Sequence, residues 1–215
     1  MPGKKTQKNP PAAPANVKVI KGKLTIRPGK PAPVVSSTTA YQGPLFRVQQ
    51  EHVREPNCGT VIRDIVRHGG SVVILAIDDA KKKDPLVVLE RQYRHAASQF
   101  LYEVPAGKID PGENRLVAAR RELAEETGFR AKNWTQLARY YASPGFLAEW
   151  MQVFLAEGLT PGPTAPDEDE RLEIMLVPFS ELLRLIDKGQ IHDGKTLIAA
   201  MSFARRRAKS TRSPR

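Results

Sequence analysis

The sequence predicts an α/β fold, an α+β sandwich in which a mixed β-sheet is flanked by helices. Three observations predict it. The 215 residues are about one domain's length. Short runs rich in β-branched residues and separated by turn signals fill residues 60–104. A helical stretch with capping signals at both ends follows, and strand-like and helical segments then alternate without an internal repeat.

Four strands are predicted before the first helix, because apolar and β-branched segments are bounded there by turn-forming residues. The His-Gly-Gly turn at residues 68–70 and the charged segment 78–84 supply two of these boundaries. The predicted strands are Thr60–Val66, Ser71–Ile77, Pro85–Tyr93 and Gln99–Val104.

The first helix is predicted over Asn114–Thr127. Asn114 is a good N-cap residue, and Gly128 stands where a glycine commonly ends a helix. One face of this helix is apolar and would pack on the sheet. That face consists of Leu116, Ala119 and Leu123.

The same signals divide the rest of the chain into three strands, a loop rich in Pro, Gly and acids, and two helices. The predicted strands are Thr135–Ala142, Met151–Ala156 and Leu172–Val177, the loop is Thr160–Glu170, and the helices are Ser180–Lys188 and Thr196–Arg206.

The positive charge lies at the two ends of the chain. The sequence holds 34 basic and 23 acidic residues, a formal net charge of +11. Residues 1–35 contain eight basic residues and residues 205–215 contain six, with no acid in either, so the remaining body has 20 basic against 23 acidic residues. We therefore expect a disordered basic Pro/Lys-rich arm (1–40), a folded domain (41–204) and a basic tail (205–215). The tails favour weak contact with polyanions, and the body does not resemble a nucleic-acid-binding surface.

The single cysteine, Cys58, excludes an intrachain disulfide and fits a reducing compartment. We expect it to be buried or half-buried. No stretch approaches the roughly 18 apolar residues of a membrane span, and the N-terminus has no apolar signal core. The sequence therefore predicts a cytoplasmic protein without membrane contact.

Four glutamates crowd into residues 107–129. Glu122 and Glu126 are four residues apart and lie on the same helical face, with Glu125 within about 100° of both. Like charges at this spacing repel each other unless a cation neutralises them, and Arg121 can pair with only part of the charge. Clustered carboxylate oxygens without Cys or His suit Mg²⁺ or Mn²⁺ rather than zinc. Taken alone, the cluster is also compatible with a solvated acidic face.

The spacing in this segment resembles the Nudix box, Gly-x5-Glu-x7-Arg-Glu-U-x-Glu-Glu-x-Gly-U, where U is a bulky apolar residue. Nine fixed positions agree, namely Gly107, Glu113, Arg121, Glu122, Leu123, Glu125, Glu126, Gly128 and Phe129. The resemblance favours a metal site over a solvated face. It implies a Nudix fold in which the box forms a catalytic loop-helix-loop against a mixed sheet.

The flanks LERQYRHAASQFLYEVPAGKID and YYASPGFLAEW resemble those of the ADP-ribose pyrophosphatase branch of the Nudix family. The resemblance extends over about 60–201. It implies that Mg²⁺, or Mn²⁺, is held by Glu122, Glu126 and the carbonyl group of Ala106, with Glu125 assisting.

The resemblance also implies a catalytic base in an acidic loop late in the chain. Glu168 and Glu170 are the favoured candidates there, ahead of Glu173, which opens a predicted strand. Arg121 and Glu125 complete the expected catalytic set, and Glu125 is the alternative base.

Four residues are expected to bind substrate. Pro144 lies sixteen residues beyond the box glycine Gly128 and matches the proline that marks the substrate class, although a plain turn is the alternative. Arg91 and Arg94 end a predicted strand just before the box, and guanidinium groups suit phosphate recognition. Arg94 resembles the phosphate or ribose contact of the family. An exposed salt bridge is the other interpretation of these arginines. Glu103 resembles a residue that contacts the substrate or a second metal ion.

Three function classes remain. The intact box and Pro144 favour hydrolysis of ADP-ribose to AMP and ribose 5-phosphate, or of a neighbouring nucleoside diphosphate sugar. A different Nudix reaction, on oxidised nucleotides, dinucleoside polyphosphates or an RNA cap, would keep the box and change the flanks. A nucleic-acid-binding protein on a Nudix scaffold is motivated only by the basic tails. Such a scaffold would tolerate loss of the box glutamates, but all four are present.

The resemblance further implies a homodimer. Relatives in this branch are commonly homodimers with exchanged N-terminal strands, and residues 41–66 would be the exchanged part here.

Overall fold

The computed structural model describes residues 20, 22–56, 58–164 and 171–210. These residues form two sheets and three helices. The strands are β1 Val34–Gln42, β2 Arg47–Glu55, β3 Gly59–Arg67, β4 Ser71–Ile77, β5 Leu86–Arg94, β6 Gln99–Glu103, β7 Ala106–Lys108, β8 Phe129–Tyr141, β9 Trp150–Pro161 and β10 Glu173–Pro178. The helices are α1 Arg115–Thr127, α2 Phe179–Asp187 and α3 Gly194–Ser210.

The first three strands form a separate antiparallel sheet in the order β1-β2-β3. Every residue of β1 is exposed, so pairing with β2 rather than burial satisfies its backbone. The prediction of a disordered arm up to residue 40 is therefore wrong from Val34 onward. The segment VVSSTTAYQ combines β-branched residues with little apolar surface to bury, and composition alone concealed the strand. Half of the predicted arm, residues 1–19 and 21, lies outside the described residues.

The main sheet has seven strands, five of them in the order β10-β5-β4-β9-β8, with β6 paired to β5 and β7 to β4. Strands β4 and β9 are parallel, and the other pairs are antiparallel. The predicted mixed sheet is thus confirmed. Strand β4 is buried along its whole length, which makes it the centre of the domain.

Alternate residues of β4 point into two apolar layers, as the strand period requires. Val72 and Ile74 pack in the cluster that contains Ala119 and Leu123 of α1. Val73, Leu75 and Ile77 pack in the cluster formed with α2 and α3. The helices therefore cover both faces of the sheet, and α1 stands alone on its side.

Helix α1 has the caps that the sequence predicts. The Asn114 side chain accepts a hydrogen bond from the backbone N–H of Leu116 at 2.9 Å. Gly128 ends the helix with a left-handed backbone, φ 72°, which suits glycine. Ala119 and Leu123 are fully buried, and Leu116 is partly buried against the same cluster. This packing fixes the rotation of α1 against the sheet.

Several boundaries differ from the prediction. Strand β8 begins at Phe129, six residues before the predicted start, and strands β2 and β7 were not predicted. Helix α3 continues to Ser210, into the predicted basic tail, and Arg207 donates to the carbonyl groups of Lys82 and Lys83. The predicted tail thus includes residues 205–210, which form the basic C-terminal end of α3. Cys58 is exposed and not buried. None of the helices in the described ranges combines the length and apolarity that crossing a bilayer requires.

Candidate active site

A polar cavity of about 820 Å³ lies where α1, the main sheet and the N-terminus of α3 meet. The residues that line it come from distant parts of the chain. They are Leu45, His68, Ser71, Gln92, Arg94, Ala106, Gly107, Lys108, Asp110, Arg121, Glu122, Glu125, Glu149, Met151 and Lys195. The cavity therefore brings together residues of the box with cations and acids that the box does not contain.

The carboxylates of α1 form one wall of this cavity. Glu122 and Glu125 line it, and Glu126 is buried one turn after Glu122, with only 6% of its surface exposed. Glu122 is also largely buried, at 8% exposure, and its carboxylate lies directly over Gly107. A Cβ atom at Gly107 would overlap that carboxylate, so only glycine permits this close approach. The first box glycine thus explains how a buried glutamate fits against the preceding strand β7.

Arg121 connects these acids. Its Nη1 donates to Glu122 at 2.8 Å and to Glu125 at 3.0 Å, while Nε and Nη2 donate to Glu113 at 3.1 and 3.0 Å. Nη2 also donates to the carbonyl group of Lys108 at 3.1 Å. The hydrogen bond to Glu113 is the largest cause of a raised pKa at Arg121, and the same bond lowers the pKa of Glu113. Arg121 therefore stays charged and braces the loop that leads into α1.

Oxygen atoms dominate the donor set on this wall, which suits Mg²⁺ or Mn²⁺. The Arg121 guanidinium sits between Glu122 and Glu125 and partly neutralises them. In the described part of the chain, no three His, Cys, Asp or Glu side chains are arranged as a metal-binding group. Ala106 lines the cavity and pairs with Val73 of β4, so its backbone lies beside the Glu122 carboxylate that covers Gly107. Ala106, Glu122 and Glu125 thus line the cavity together, whereas Glu126 is buried on α1 and does not line it. Oxygen donors of this kind fit a hard divalent cation.

Arg94 lines the cavity away from the box, at the end of β5. It forms a two-pronged ion pair with Glu103, from Nε at 2.9 Å and from Nη2 at 2.8 Å. This pair is the largest cause of a raised pKa at Arg94, and the charge of Glu126 contributes to the same shift. Arg94 thus lies within electrostatic range of the box helix, as a substrate-binding residue requires.

Glu103 is not among the residues that line the cavity, and its contact with the substrate or a second metal ion stays a prediction. It is only 1% exposed, and both of its oxygens accept hydrogen bonds, from Arg94 and from Lys195. Burial raises its pKa, but the bonds from Arg94 and the charge of Lys195 outweigh burial, and the net pKa lies below the ordinary value. In the structure Glu103 holds the side chains of Arg94 and Lys195.

Arg91 lies on the opposite face of β5 from Gln92 and Arg94, since successive strand residues alternate. Its guanidinium lies 4.0 Å from the centre of the Phe100 ring and donates to Glu173 at 3.2 Å. Arg91 therefore does not line this cavity within one chain, and the structure shows it in the exposed salt bridge. A substrate contact from Arg91 stays a prediction.

Pro144 lines a second cavity, of about 610 Å³, between residues 144–148 and the N-terminal sheet. This loop is joined to β3 by hydrogen bonds from Val66 to Phe146 and from Ala148 to Val66, at 2.8 and 2.9 Å. Pro144 is thus not brought to the carboxylate wall within one chain. Its predicted role would require a substrate that reaches the second cavity.

The favoured base candidates, Glu168 and Glu170, lie outside the described residues. Glu173 is the first residue of β10, as predicted, and it is 65% exposed in its ion pair with Arg91. The segment between β9 and β10 therefore remains the predicted location of the base.

Glu149 and Lys195 are among the cavity residues that sequence reasoning missed. Glu149 accepts a hydrogen bond from the Ser71 hydroxyl at 2.6 Å and lies 3.5 Å from His68 Nδ1. Lys195 stands at the first turn of α3, between Glu103 and Asp193. Glu149 belongs to the flank YYASPGFLAEW, so the sequence could have suggested that it lies near the site. Lys195 carried no local signal, because only the fold brings residue 195 to residue 103.

The comparisons with known proteins agree with this geometry. A family model described as the NUDIX domain matches residues 67–199. An ADP-ribose pyrophosphatase of Bacillus subtilis (strain 168) is 36% identical over 167 residues, which cover 77% of this chain and 88% of that protein. An ADP-ribose pyrophosphatase of Mycobacterium tuberculosis is 38% identical over 160 residues, which cover 73% and 75%. A crystal structure described as an ADP compounds hydrolase matches with a TM-score of 0.69 and 25% identity, covering 86% of this chain and 98% of that one.

Proposed function

Since the chain belongs to the NUDIX domain family and is a Nudix hydrolase, we propose that it splits ADP-ribose into AMP and ribose 5-phosphate. The reaction class is hydrolysis of the pyrophosphate bond of a nucleoside diphosphate derivative. The observation that carries the proposal is the carboxylate wall of Glu122 and Glu125, which faces the same cavity as the cation Arg94. Such a cavity can hold a metal-bound diphosphate between an acidic wall and a basic one.

The acidic wall is proposed to bind Mg²⁺, with Mn²⁺ as an alternative. Glu122, Glu126 and the carbonyl group of Ala106 would hold the ion, and Glu125 would assist. The bound ion would neutralise charge on the phosphate oxygens before a water attacks phosphorus. The support is the all-oxygen donor set and the close fit of Glu122 over Gly107.

Arg121 is proposed to hold this wall in place. It contacts Glu113 and Glu125 as well as Glu122, so it can keep the carboxylates oriented when their repulsion changes on ion binding. Arg94 is proposed to contact the substrate phosphates, because part of its guanidinium faces the cavity while Glu103 holds the other edge. Glu168 or Glu170 is proposed to deprotonate the attacking water, with Glu125 as the alternative base.

Two further properties, a dimer and a cellular compartment, are also proposed. A homodimer formed through the N-terminal sheet would cover exposed apolar side chains at Val34, Val35, Tyr41 and Phe46. The free thiol of Cys58 is consistent with a reducing cytoplasm. Size-exclusion chromatography with light scattering tests the dimer, and a monomer at micromolar concentration would contradict it.

A substrate panel tests the function. The purified chain with Mg²⁺ would be given ADP-ribose, other nucleoside diphosphate sugars, a dinucleotide and 8-oxo-dGTP, with chelator as the matched control. We expect ADP-ribose to show the highest kcat/KM and to yield AMP. A higher kcat/KM for 8-oxo-dGTP would move the chain to another Nudix reaction, and a preference for another nucleotide sugar would keep the reaction class and change the substrate.

A further inference from the structure

Lys195 is a largely buried cation at the edge of the cavity. It is the second residue of α3, its side chain is only 16% exposed, and it lines the cavity. Its Nζ donates to Glu103 at 2.8 Å and to Asp193 at 2.7 Å. Burial lowers the pKa of Lys195, but the two carboxylates outweigh burial and the net pKa is raised. Lys195 is therefore a fixed positive charge at working pH.

Glu103 is shared between Lys195 and Arg94. Arg94 uses Nε and Nη2 for the two Glu103 oxygens, and Lys195 donates to one of the same oxygens. Glu103 is therefore divided between two cations, and Asp193 supplies the second carboxylate beside Lys195. The Nη1 side of Arg94 is not engaged by Glu103 and is the part that can meet an anion.

Asp193 fixes the position of Lys195 relative to the sheet. One Asp193 oxygen accepts from the backbone N–H and the hydroxyl of Thr196, at 2.9 and 2.7 Å, which caps α3. The Thr196 hydroxyl in turn accepts from the backbone N–H of Val104 at 2.9 Å. The start of α3 is thus tied to the residue that follows Glu103. This arrangement fixes Lys195 before any ligand arrives.

We propose that Lys195 is a positioning residue for the reaction. By sharing Glu103 with Arg94, it keeps the Nη1 edge of Arg94 directed into the cavity, where this edge binds the diphosphate of the substrate. This inference rests on the proposed function. It assigns Lys195 an action through Arg94 and not a contact with the reacting atoms.

Kinetics of Lys195→Met in the full chain test this role. A phosphate contact that is equally strong in the ground state and the transition state affects KM and leaves kcat. We expect KM for ADP-ribose to rise about tenfold and kcat to stay within about threefold. Lys209→Met is the matched control, because Lys209 is an exposed lysine of the same helix, and its KM should not change. If Lys195→Met does not fold, Lys195→Gln removes the same charge while keeping amide donors for the two carboxylates.

A double-mutant cycle separates action through Arg94 from direct binding. In an Arg94→Met background, loss of Lys195 should change KM by less than about twofold, because the group it positions is already gone. A tenfold effect in that background would overturn the inference. Thr196→Val removes the tie to Val104 but leaves all four charges, so an equal KM rise in that variant would show a merely structural role and would also overturn it.

Binding of inorganic pyrophosphate gives a readout that does not depend on turnover. Calorimetry should show weaker binding by Lys195→Met than by Lys209→Met and the unchanged chain. If the unchanged chain hydrolyses no member of the substrate panel, the proposed function fails, and pyrophosphate binding still compares the variants. Equal affinities, or no measurable binding by the unchanged chain, would overturn the role of Lys195.

Discussion

Replacing Glu122 by Gln is expected to remove at least about 99% of turnover while the fold survives. The carboxylate is buried against Gly107, so the replacement retains its shape in a site with little room to adapt. Arg121 keeps its bonds to Glu113 and Glu125, which should hold the loop in place. The main loss is therefore one negative charge on the proposed metal wall.

The magnitude follows from electrostatics. Two unit charges about 4 Å apart interact by roughly 4 kcal/mol at an effective dielectric constant near 20. A hundredfold loss of rate corresponds to about 2.7 kcal/mol of transition-state stabilisation. The expected loss of transition-state stabilisation is thus smaller than the interaction of one carboxylate with a singly charged cation. Because a divalent ion interacts more strongly, a hundredfold loss of rate is a lower bound. Glu126→Gln should behave in the same way, since Glu126 is equally buried on this helix.

The assay is steady-state release of AMP from ADP-ribose over a range of Mg²⁺ concentrations, with circular dichroism to monitor folding. Glu157→Gln is the matched control, because Glu157 lies on β9 and outside the residues that line the cavity. Its turnover should be unchanged. A Glu122→Gln enzyme that reaches the normal rate at saturating Mg²⁺ would refute the assignment of Glu122 as a ligand.

Three further predictions concern the base, the ends of the chain and acid stability. Glu168→Gln or Glu170→Gln should lower kcat by roughly 10² to 10⁴ and alter the acidic limb of the pH–rate profile, with KM little changed. If both variants keep a near-normal kcat, the base is elsewhere. Deleting residues 1–30 and 211–215 removes ten basic residues. Turnover should stay within a few-fold of normal, whereas salt-sensitive binding to polyanions should weaken. A collapse of turnover would show that the ends of the chain help to build the site. Because the net pKa of Glu103 is depressed below its ordinary 4.5, its contribution to stability is present above pH 4.5 and is lost as pH falls through the lower, folded-state pKa. Urea unfolding of Glu103→Gln at several pH values should therefore show a weaker loss of stability in acid, and an unchanged slope would contradict the ion-pair account.

The central strands and the first helix were predictable because their local signals agree with the fold. Strand β4 was predicted with its observed ends, Ser71–Ile77, since it is a continuous apolar run between turns. The caps Asn114 and Gly128 placed α1 within one residue. Strand β1 was missed because all its residues are exposed, and its strand character comes only from pairing with β2. Pairing of this kind has no signature in a single segment.

The same distinction holds within the site. The carboxylate wall lies on one helix, so its spacing is visible in the sequence, and the family that this spacing indicates is confirmed by the NUDIX domain match. The opposite wall is assembled from β5, β6 and α3, and two of its members, Glu103 and Lys195, lie 92 residues apart. The sequence predicted a substrate role for both Arg94 and Glu103 but could not show that Glu103 faces inward. That orientation depends on Lys195, whose neighbours are set by the fold.

The two walls differ in how their charges are balanced, and this difference favours one orientation of the substrate. On α1 and its lead-in, the single guanidinium of Arg121 pairs with three carboxylates, those of Glu113, Glu122 and Glu125, so this group carries an excess of negative charge. Opposite it, Arg94 and Lys195 balance two carboxylates, and the start of α3 adds the positive end of a helix dipole. A free diphosphate would be repelled by the first wall, whereas a divalent cation would be attracted to it. We therefore expect the cation to lie on the α1 side and the phosphate oxygens to bridge from it toward Arg94, which makes substrate affinity depend on the metal ion.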